Sequence, residues 1–371
     1  MYSEIIASSH KLHPVSPEAA EAYGSATGAL LENVNSQLES NAKISDLIGR
    51  NSFELMHNNH RNHATFMATV FSINSYELLA RTIPWVYRAY HARGFSYDYF
   101  LAELVAWQVA ITQHIDKPAH KAEILAIYQW MMQYHNNMIQ LSLSGEGLSF
   151  SAGSESNEMQ QVLLSLLLHG DSRGCLKLAD QSIHTDEDLK HFYLNVVWPA
   201  MYTIGQLWEK NEVTVAEEHL STAIIGRVMA ALYPRFARID FTRGKAVVTA
   251  GPNEFHEVGA RMVADFLEME GWDVTYLGAN TPAAEIITFL KKHEPFLVAL
   301  SVATVFNLDA ARQVIEKIKS NEKTSDIKVM VGGLAFSSMP HLWQDFGADG
   351  YANGADDAAR TANEWWQARN Q

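Results

Sequence analysis

The sequence predicts a multidomain α plus α/β protein, in which helical segments come first and a doubly wound, Rossmann-like domain comes last. From residue 17 to about 236, apolar residues recur at the three- and four-residue spacing of amphipathic helices. After Arg243-Gly244 the pattern changes to short apolar runs that alternate with helical segments, which is typical of a parallel sheet covered by helices. Residues 143–156 are rich in Gly and Ser and indicate a linker.

Length and composition limit the class of protein. A chain of 371 residues is long enough for two or three domains. Its 42 acidic and 28 basic residues give a formal net charge of −14, which argues against nucleic-acid binding driven by phosphate contacts. No apolar run is long enough to span a bilayer, and the first residues lack a signal-peptide pattern, so we expect a cytoplasmic protein without a membrane partner.

The helical part is predicted as two domains, residues 1–150 and residues 151–240, and the α/β domain as residues 241–371. Ser16-Pro17, Ser96 and Pro118 mark helix starts, and Pro84 inside a helical pattern predicts a kink. The second domain is predicted as a bundle of four helices. The expected helices are 17–40, 42–57, 60–92, 96–116 and 118–142 in the first domain, and 157–169, 171–181, 185–209 and 214–236 in the second.

Functional residues of the α/β domain are expected in the loops that follow its strands, because ligands of parallel sheets bind at the carboxyl ends of strands. The loop after the first strand contains Glu254 and His256 and lacks the pattern of a phosphate-binding loop. Glu254 is positioned in sequence to accept a proton from one imidazole nitrogen and so prepare the other for metal ligation. The expected strands are 245–250, 273–277, 296–301 and 328–331.

Two further segments follow neighbouring strands of the same sheet. Ser301 ends the third strand, and Gly332-Gly333 ends the fourth, where glycines allow a bulky ligand to approach the backbone closely. Glu254-x-His256-x-x-Gly259 with these two segments resembles the Asp-x-His-x-x-Gly, Ser-x-Leu and Gly-Gly signature of cobalamin-binding domains. The chain departs from it in two positions, because Glu254 replaces Asp and Ala303 replaces Leu.

The resemblance implies that His256 is the lower ligand of cobalt, in place of the cofactor's own dimethylbenzimidazole. It also implies that the displaced nucleotide tail lies between the serine strand and the glycine pair. The later run Gly347-Ala348-Asp349-Gly350-Tyr351 is also similar to the last strand of that family. The simpler alternative, a loop histidine and an ordinary glycine turn, does not account for four matching segments in order. The residues implied at the cofactor are Glu254, Phe255, His256, Gly259, Ser301, Ala303, Thr304, Gly332 and Gly333.

The four-helix bundle contains Trp208 and, after nine residues, Glu218-His219. This spacing predicts Trp208 at the end of one helix and the pair in the first turns of the next. Taken alone, such residues are usually structural. With the cobalamin signature they resemble the Trp-x9-Glu-His cap of light-responsive, adenosylcobalamin-dependent regulators, which implies that Trp208 and Glu218 cover the adenosyl group. Glu209 follows Trp208 where the repressors of that group have a second cobalt ligand, and whether His219 replaces it is left open.

The first domain interleaves arginines with aromatic residues. Arg81 and Arg88 are seven residues apart and share a predicted helix face with Trp85, and Tyr97 and Trp107 follow on the next helix. Most of these rings are expected in the core, but the mixture suits a flat aromatic ligand that bears carboxylates.

Three histidines of the first domain, His57, His60 and His63, recur at three-residue spacing and so share a helix face. Because no carboxylate in the pattern completes a ligand set, we expect a solvated face rather than a metal site.

The first domain resembles the globin-like helical sensors of bacterial signalling proteins. The order of sensor, cap bundle and cobalamin domain resembles the photocobilins, which hold a bilin beside cobalamin. This implies a linear tetrapyrrole, biliverdin, that is bound without a covalent link, because Cys175, the only cysteine, belongs to the second domain. Haem is the rival ligand, and a bundle that binds a protein without any chromophore is the third interpretation.

Three functions follow for the whole chain, none of them enzymatic. The first is a light-sensing signalling protein, in which photolysis of adenosylcobalamin changes a homo-oligomer (a dimer or tetramer) that acts on a separate output protein. The second is a corrinoid methyl carrier of a methyltransferase system, and the third is a cobalamin-sensing regulator without photochemistry. Trp208 and Glu218 favour the first over the second, because a methyl carrier must leave the upper face of its cofactor open.

Overall fold

The structure is a computed structural model that describes residues 1–146, 157–236, 240–339 and 341–370. Internal contacts divide these residues into two compact units, of which the first contains residues 1–146 and Glu209–Asn211 and the second contains the others. The predicted combination of a helical N-terminal region with a parallel α/β domain is confirmed. Residues 147–156 of the predicted linker lie outside the described residues. Within the described ranges, the helices are too short or too polar to cross a membrane.

The first unit is entirely helical. Its second helix begins as predicted, since the Ser16 hydroxyl caps it by accepting a hydrogen bond from the Ala19 N–H at 3.3 Å. Pro118 occupies the first position of the seventh helix. The sequence pattern missed the first helix. The helices are α1 (Tyr2–Ser9), α2 (Pro17–Glu39), α3 (Ile44–Ile48), α4 (Phe53–Ile73), α5 (Tyr76–Ala92), α6 (Tyr97–His114), α7 (Pro118–Gln133) and α8 (His135–Ser144).

Three of the predicted helices in this unit are divided in the structure. The helix expected over 60–92 is interrupted at Asn74, which has a left-handed φ of 50° because its side-chain amide bonds to both the N–H and the C=O of Val15. The helix expected over 118–142 is interrupted at Tyr134, and the one over 42–57 at Gly49, whose φ is 61°. Helical periodicity does not register such short breaks, which span one to four residues. The break expected at residues 58–59 is absent, because α4 continues across it.

The predicted solvated histidine face is wrong for two of its three members. His60 is fully buried, and His63 stacks on Trp107 with ring centroids 4.9 Å apart. A carboxylate also adjoins them, since His63 Nδ1 lies 3.9 Å from an oxygen of Glu103. Burial lowers the pKa of both imidazoles to about 3, so they are neutral core groups. The described part of the chain holds no group of three side chains suited to a metal ion.

The second unit begins with a helical bundle that agrees closely with the predicted helices. The helix expected over 185–209 is continuous, but its middle is a π-helical turn, Tyr193–Val197, that joins two α-helical parts. Pro199 follows this wide turn. The bundle consists of α9 (Glu158–Leu168), α10 (Ser172–Ser182), α11 (Asp186–Phe192), α12 (Trp198–Glu209) and α13 (Val215–Phe236).

A five-stranded parallel sheet with the order β2-β1-β3-β4-β5 forms the centre of the α/β domain. Helices connect its strands, as predicted. The strands are β1 (Lys245–Ala250), β2 (Asp273–Gly278), β3 (Leu297–Ser301), β4 (Lys328–Gly332) and β5 (Gly350–Ala352). The helices are α14 (Val258–Met269), α15 (Ala283–His293), α16 (Leu308–Lys319), α17 (Leu334–Ser338), α18 (Leu342–Asp345) and α19 (Ala355–Arg369).

Strand order and register determine where a ligand site can form. The chain runs from β1 to β2 on one side and from β2 across to β3 on the other, so the direction of strand addition reverses beside β1. Ala250 pairs with Ser301, which in turn pairs with Gly332. The loops that follow β1, β3 and β4 therefore leave the sheet at the same level, next to the reversal point.

The glycine pair after β4 is required by close backbone packing. Gly333 has a φ of 92°, and a Cβ atom at this position would lie 2.4 Å from the carbonyl oxygen of Val302. A Cβ at Gly332 would lie 2.8 Å from the carbonyl oxygen of Ala352. Both contacts are with backbone atoms, so the strands themselves would have to move to admit a side chain.

We expect the substitution Gly333→Ala to lower the free energy of unfolding by about 3 kcal/mol, because it adds left-handed backbone strain to a steric clash. Gly347→Ala is the matched control: Gly347 also has a left-handed φ, 76°, but no atom lies within 4 Å of its added Cβ. The control should lose only about 1 kcal/mol. Urea unfolding followed by circular dichroism measures the free energy of unfolding of both variants. Equal decreases in Gly333→Ala and Gly347→Ala would contradict the steric clash at Gly333.

Candidate functional site

The loop after β1 holds a carboxylate and an imidazole in direct contact. The Glu254 side chain is 1% exposed, whereas that of His256 is 63% exposed. One carboxylate oxygen, Oε1, lies 2.5 Å from His256 Nδ1 and also accepts a hydrogen bond from the His256 backbone N–H at 3.1 Å. This arrangement puts the ring proton on Nδ1 and leaves Nε2 as the nitrogen with a free lone pair.

The second oxygen of Glu254 connects this loop to the segment after β3. It accepts hydrogen bonds from the backbone N–H groups of Ala303 and Thr304, each at 2.9 Å, and from the Asn307 side-chain amide at 3.2 Å. Burial, the largest single influence, raises the pKa of Glu254, but the hydrogen bonds and the His256 ring together lower it to about 2. Glu254 is therefore a buried anion that fixes two loops relative to each other.

The same contact raises the pKa of His256. The main cause of the raised pKa is the hydrogen bond with Glu254. Burial lowers the pKa, and the charge of Glu218 raises it slightly. The protonated ring therefore stabilises the fold below the ordinary histidine pKa of about 6.5, and this contribution is lost as the pH rises through the higher, folded-state pKa. The Glu254 contribution is present above the ordinary carboxyl pKa and is lost as the pH falls through about 2.

The other predicted strand-end residues lie around this pair. Ser301 is at the end of β3, and its hydroxyl is 4.0 Å from the position of a Cβ on Gly259, at the start of α14. Thr304 Oγ1 lies 3.5 Å from His256 Nδ1. Phe255 is exposed. With the glycine pair at the end of β4, the fold brings every predicted residue of the α/β domain to one edge of the sheet.

The predicted cap residues lie where α12 ends and α13 begins. Trp208 is half-buried in the last turn of α12. Glu218 is in the first turns of α13, where it accepts a hydrogen bond from Thr222 Oγ1 at 3.0 Å and lies 2.5 Å from Nδ1 of the exposed His219. The charge of Glu218 also makes a minor contribution to the raised pKa of His256, which lies in the same unit.

Sequence reasoning missed several residues of this region. Asn307 belongs to no motif and lies 53 residues from Glu254, to which it donates a hydrogen bond. Its position after β3 was the only sequence feature that could have indicated a role in the site. Asn280 donates its N–H to the Glu254 carbonyl at 2.9 Å and accepts from the Asn253 N–H at 3.0 Å, which holds the loop after β1. In the cap, Trp198 stacks on Tyr202, four residues along α12, with ring centroids 5.9 Å apart.

The arginines predicted to bind a ligand in the first unit already contact carboxylates of the chain. Arg81 pairs with Glu77, Nη2 to Oε1 at 2.6 Å, one turn away on α5. Arg88 donates a hydrogen bond from Nε to Glu209, the residue after the cap tryptophan. Trp85 is half-buried on the same helix face. Carboxylates of a ligand would have to replace Glu77 and Glu209.

The two predicted rings on α6 lie in different surroundings. The Tyr97 ring stacks on His91 at 4.1 Å and its hydroxyl accepts a hydrogen bond from Ser142 at 3.0 Å. Trp107 is fully buried against His63. Tyr97 and Trp107 therefore contact different residues and do not line a common binding site in the structure.

Around Trp107 is a buried polar cluster that the sequence did not indicate. Trp107 Nε1 donates to one Glu103 oxygen at 3.3 Å, and Asn59 donates to the other at 3.1 Å. Burial raises the pKa of Glu103 to about 7. His60 Nδ1 contacts the Asn35 side chain at 2.5 Å, while its buried Nε2 has no hydrogen-bond partner among the described residues.

We expect Glu254→Gln to lower the pKa of His256 towards the ordinary value of about 6.5, because the neutral amide no longer stabilises the imidazolium. Nuclear magnetic resonance titration of histidine-labelled protein measures this, with the His256 signal assigned by its loss in His256→Ala. Glu257→Gln removes a neighbouring carboxylate that does not contact the ring and should leave the pKa unchanged. An unchanged pKa in Glu254→Gln would show that the contact does not control the imidazole.

Comparison with known proteins agrees with this geometry. Residues 244–360 match the family model described as B12 binding domain, and residues 159–233 match a second model with the same description. A corrinoid protein of Desulfitobacterium hafniense is 23% identical over 56% of this chain and 95% of its own length. Dimethylamine corrinoid protein 3 of Methanosarcina acetivorans is 28% identical over 44% of this chain and 76% of its own.

Among solved structures, the monomethylamine corrinoid protein of Methanosarcina barkeri covers 57% of this chain and 99% of its own, with 19% identity and a TM-score of 0.49. The first of the two matched ranges corresponds to the helical bundle, and the second contains the sheet with Glu254, His256 and the glycine pair. Residues 159–233 and 244–360 are thus B12 binding domains, which indicate a corrinoid cofactor for this chain.

Proposed function

We propose that the protein is a light sensor that binds adenosylcobalamin between the cap bundle and the strand-end edge of the sheet. The observation that carries the proposal is the contact of buried Glu254 with the exposed imidazole of His256 at the strand ends, in the same compact unit as Trp208 and Glu218 of the cap. A tryptophan and a carboxylate over the upper face suit an adenosyl group, which offers a flat base and ribose hydroxyls.

The residues present fit a corrinoid on chemical grounds. His256 has an exposed side chain with its Nδ1 engaged, so Nε2 is the nitrogen that would ligate cobalt from below. The nucleotide tail would lie beside Ser301, which pairs with Gly332 at the end of the strands. The glycine pair keeps the adjoining backbone of Val302 and Ala352 closely packed there. When bound, adenosylcobalamin would supply a cobalt–carbon bond that visible light breaks. Trp208 and Glu218 would hold the adenosyl group in the dark and lose that contact afterwards.

Loss of these contacts is the basis for signalling. A ligand shifts a conformational equilibrium only as far as its contacts differ between the states. Because the cap residues contact the adenosyl group in the dark alone, the cap is free to rearrange after illumination, and we expect the homo-oligomer to change with it. The output is carried by a separate protein that recognises one of the two assemblies.

A methyl carrier is the alternative function, and the names of the relatives support it. A dimethylamine and a monomethylamine corrinoid protein align with 44% and 51% of this chain. A methyl carrier presents the upper face of its cofactor to other enzymes, which a cap formed by Trp208 and Glu218 would obstruct. A cobalamin-sensing regulator without photochemistry is the third candidate, and it differs from the first only in its response to light.

Absorption spectra of the purified chain, loaded in the dark with adenosylcobalamin and then exposed to green light, test the proposal. We expect a spectral change at once and a change in the size-exclusion profile with it. A spectral change without a change in size removes oligomerisation as the output. A chain that retains methylcobalamin at least as tightly as adenosylcobalamin supports the methyl carrier. Stable adenosylcobalamin under illumination supports the regulator without photochemistry.

For the first unit, we infer a globin-like sensor domain that binds biliverdin without a covalent bond. Its support is the ring-rich interior together with the unpaired, buried Nε2 of His60, which is a hydrogen-bonding atom without a described partner. The chain's one thiol, Cys175, is buried in the second unit, and burial raises its pKa to about 11, so it is unsuited to bilin attachment.

Expression together with a haem oxygenase tests the chromophore. We expect a far-red absorption band that is lost on denaturing gel filtration. A Soret band alone would identify haem instead, and absence of any added band would leave the unit as a protein-binding module. His60→Phe, which removes the unpaired nitrogen and keeps a buried ring, should shift the far-red band. Half-buried His57, on the same helix, is the position for a control, His57→Phe.

We expect His256→Ala to give the base-off spectrum of cobalamin or to lose the cofactor, because the loop between β1 and α14 contains no other histidine. In the wild-type protein, acid should weaken ligation, since protonation of His256 competes with cobalt and its pKa lies above the ordinary value. His219→Ala, which also removes an exposed imidazole from the second unit, is the control for the dark state. A histidine-ligated spectrum in His256→Ala would contradict the assignment.

We expect Trp208→Ala to reduce the preference for adenosylcobalamin over methylcobalamin by about tenfold, which corresponds to the loss of one ring-stacking contact of about 1.4 kcal/mol. Isothermal titration with each cobalamin in the dark measures the preference. Trp343→Ala removes a half-buried tryptophan from α18 and should leave it unchanged. Equal preferences in the wild type and Trp208→Ala would exclude the tryptophan from the upper face.

A further inference from the structure

Helix α6 has an apolar stripe on the side that faces solvent. Leu101, Val105 and Val109 are 37%, 44% and 36% exposed, and their four-residue spacing puts them on one helix face over two turns. The opposite side of α6 is buried, with Leu104 and Trp107 in the core. The helix is therefore apolar on both sides, and the stripe is the side that stays partly open to solvent.

Charges at the two ends of the stripe are of opposite sign. Asp98 lies one turn before Leu101, is exposed, and forms no ion pair with any described residue. At the other end, Lys121 of α7 donates a hydrogen bond from Nζ to the Thr112 carbonyl oxygen at 2.6 Å. The stripe thus has an unpaired anion at its start and a cation at its end.

We propose that this stripe joins two copies of the chain through an antiparallel α6–α6 contact, with a two-fold axis at Val105. Such an axis pairs each residue with the one equally far from Val105 on the other helix, so Leu101 meets Val109 and Asp98 meets Thr112. Asp98 then faces Lys121 of the second copy, once on each side. A parallel contact would put Asp98 beside Asp98 and leave both charges uncompensated.

A second copy is the occupant that fits, because the stripe is self-complementary. The apolar residues have the same four-residue spacing in both directions, and the charges at its two ends are opposite. From Leu101 to Val109 the helix rises about 12 Å, so α6 alone buries less than the roughly 1,200 Å² of a stable interface. The contact is therefore reversible and depends on protein concentration. It involves no cofactor and goes beyond the proposed function, so it is tested in the full chain without cobalamin and in the dark.

Sedimentation velocity over a range of concentrations is the first test. We expect a monomer–dimer equilibrium whose Kd rises about a hundredfold in Val105→Glu, which puts two like charges on the axis. Val162→Glu, at another exposed valine on a helix, should leave the Kd unchanged. A wild-type chain that stays monomeric, or a dimer that tolerates Val105→Glu, would overturn the proposal, as would equal dissociation by Val162→Glu.

Charge reversal then tests the pairing. Asp98→Lys and Lys121→Asp should each raise the Kd about tenfold, because each removes two ion pairs and adds two repulsions. The double variant Asp98→Lys/Lys121→Asp should restore the wild-type Kd. If the double variant instead raises the Kd by the product of the two single increases, these two side chains do not contact each other.

Disulfide formation tests the position of the axis. In Val105→Cys the two new thiols face each other, so oxidation should link the copies, and buried Cys175 does not compete. In Val109→Cys the thiols are separated by about 12 Å along the helices, beyond the reach of a disulfide. Cross-linking of both variants alike would indicate a parallel contact, and cross-linking of neither would exclude this face from the dimer.

Discussion

The buried carboxylate of Glu254 is the constraint on which the strand-end site depends. A charge out of contact with water must be hydrogen-bonded, and here the donors are the ring and backbone of His256, the backbone of Ala303 and Thr304, and the side chain of Asn307. Those donors come from two loops that are far apart in sequence. The same anion that joins the loops also fixes the ring and its tautomer, so the imidazole is oriented before any ligand arrives.

This role explains both departures from the cobalamin-binding signature. The longer Glu254 side chain reaches past the imidazole to the segment after β3, so one carboxylate oxygen serves the ring and the other serves the second loop. Ala303 contributes its backbone N–H, and this donor is the same for alanine as for leucine. Substitution at these two positions therefore leaves the hydrogen-bonding pattern available, although a motif comparison counts both as mismatches.

Sequence reasoning was most successful where one physical period or one short motif decides the structure. The buried strands, the bundle helices and the junction between Trp208 and Glu218 follow from local pattern, and the sheet then brings the loops together by register. It failed where distant residues decide. The break at Asn74 depends on Val15, the burial of His60 depends on α2 and α6, and the donor Asn307 is recognised only once β1 and β3 are adjacent. Periodicity carries no information about such contacts.

The π-helical turn Tyr193–Val197 determines which way the side chains of the cap helix point. A π turn is equivalent to one extra residue in an α-helix, and one residue corresponds to a rotation of about 100°. Every side chain of α12 is therefore rotated by that angle relative to α11. Deletion of a single residue here would restore an uninterrupted helix and rotate Trp208 and Trp198 away from their present side of the bundle. The direction of the cap's aromatic side chains is thus set by a π-helical turn that ends more than ten residues before Trp208.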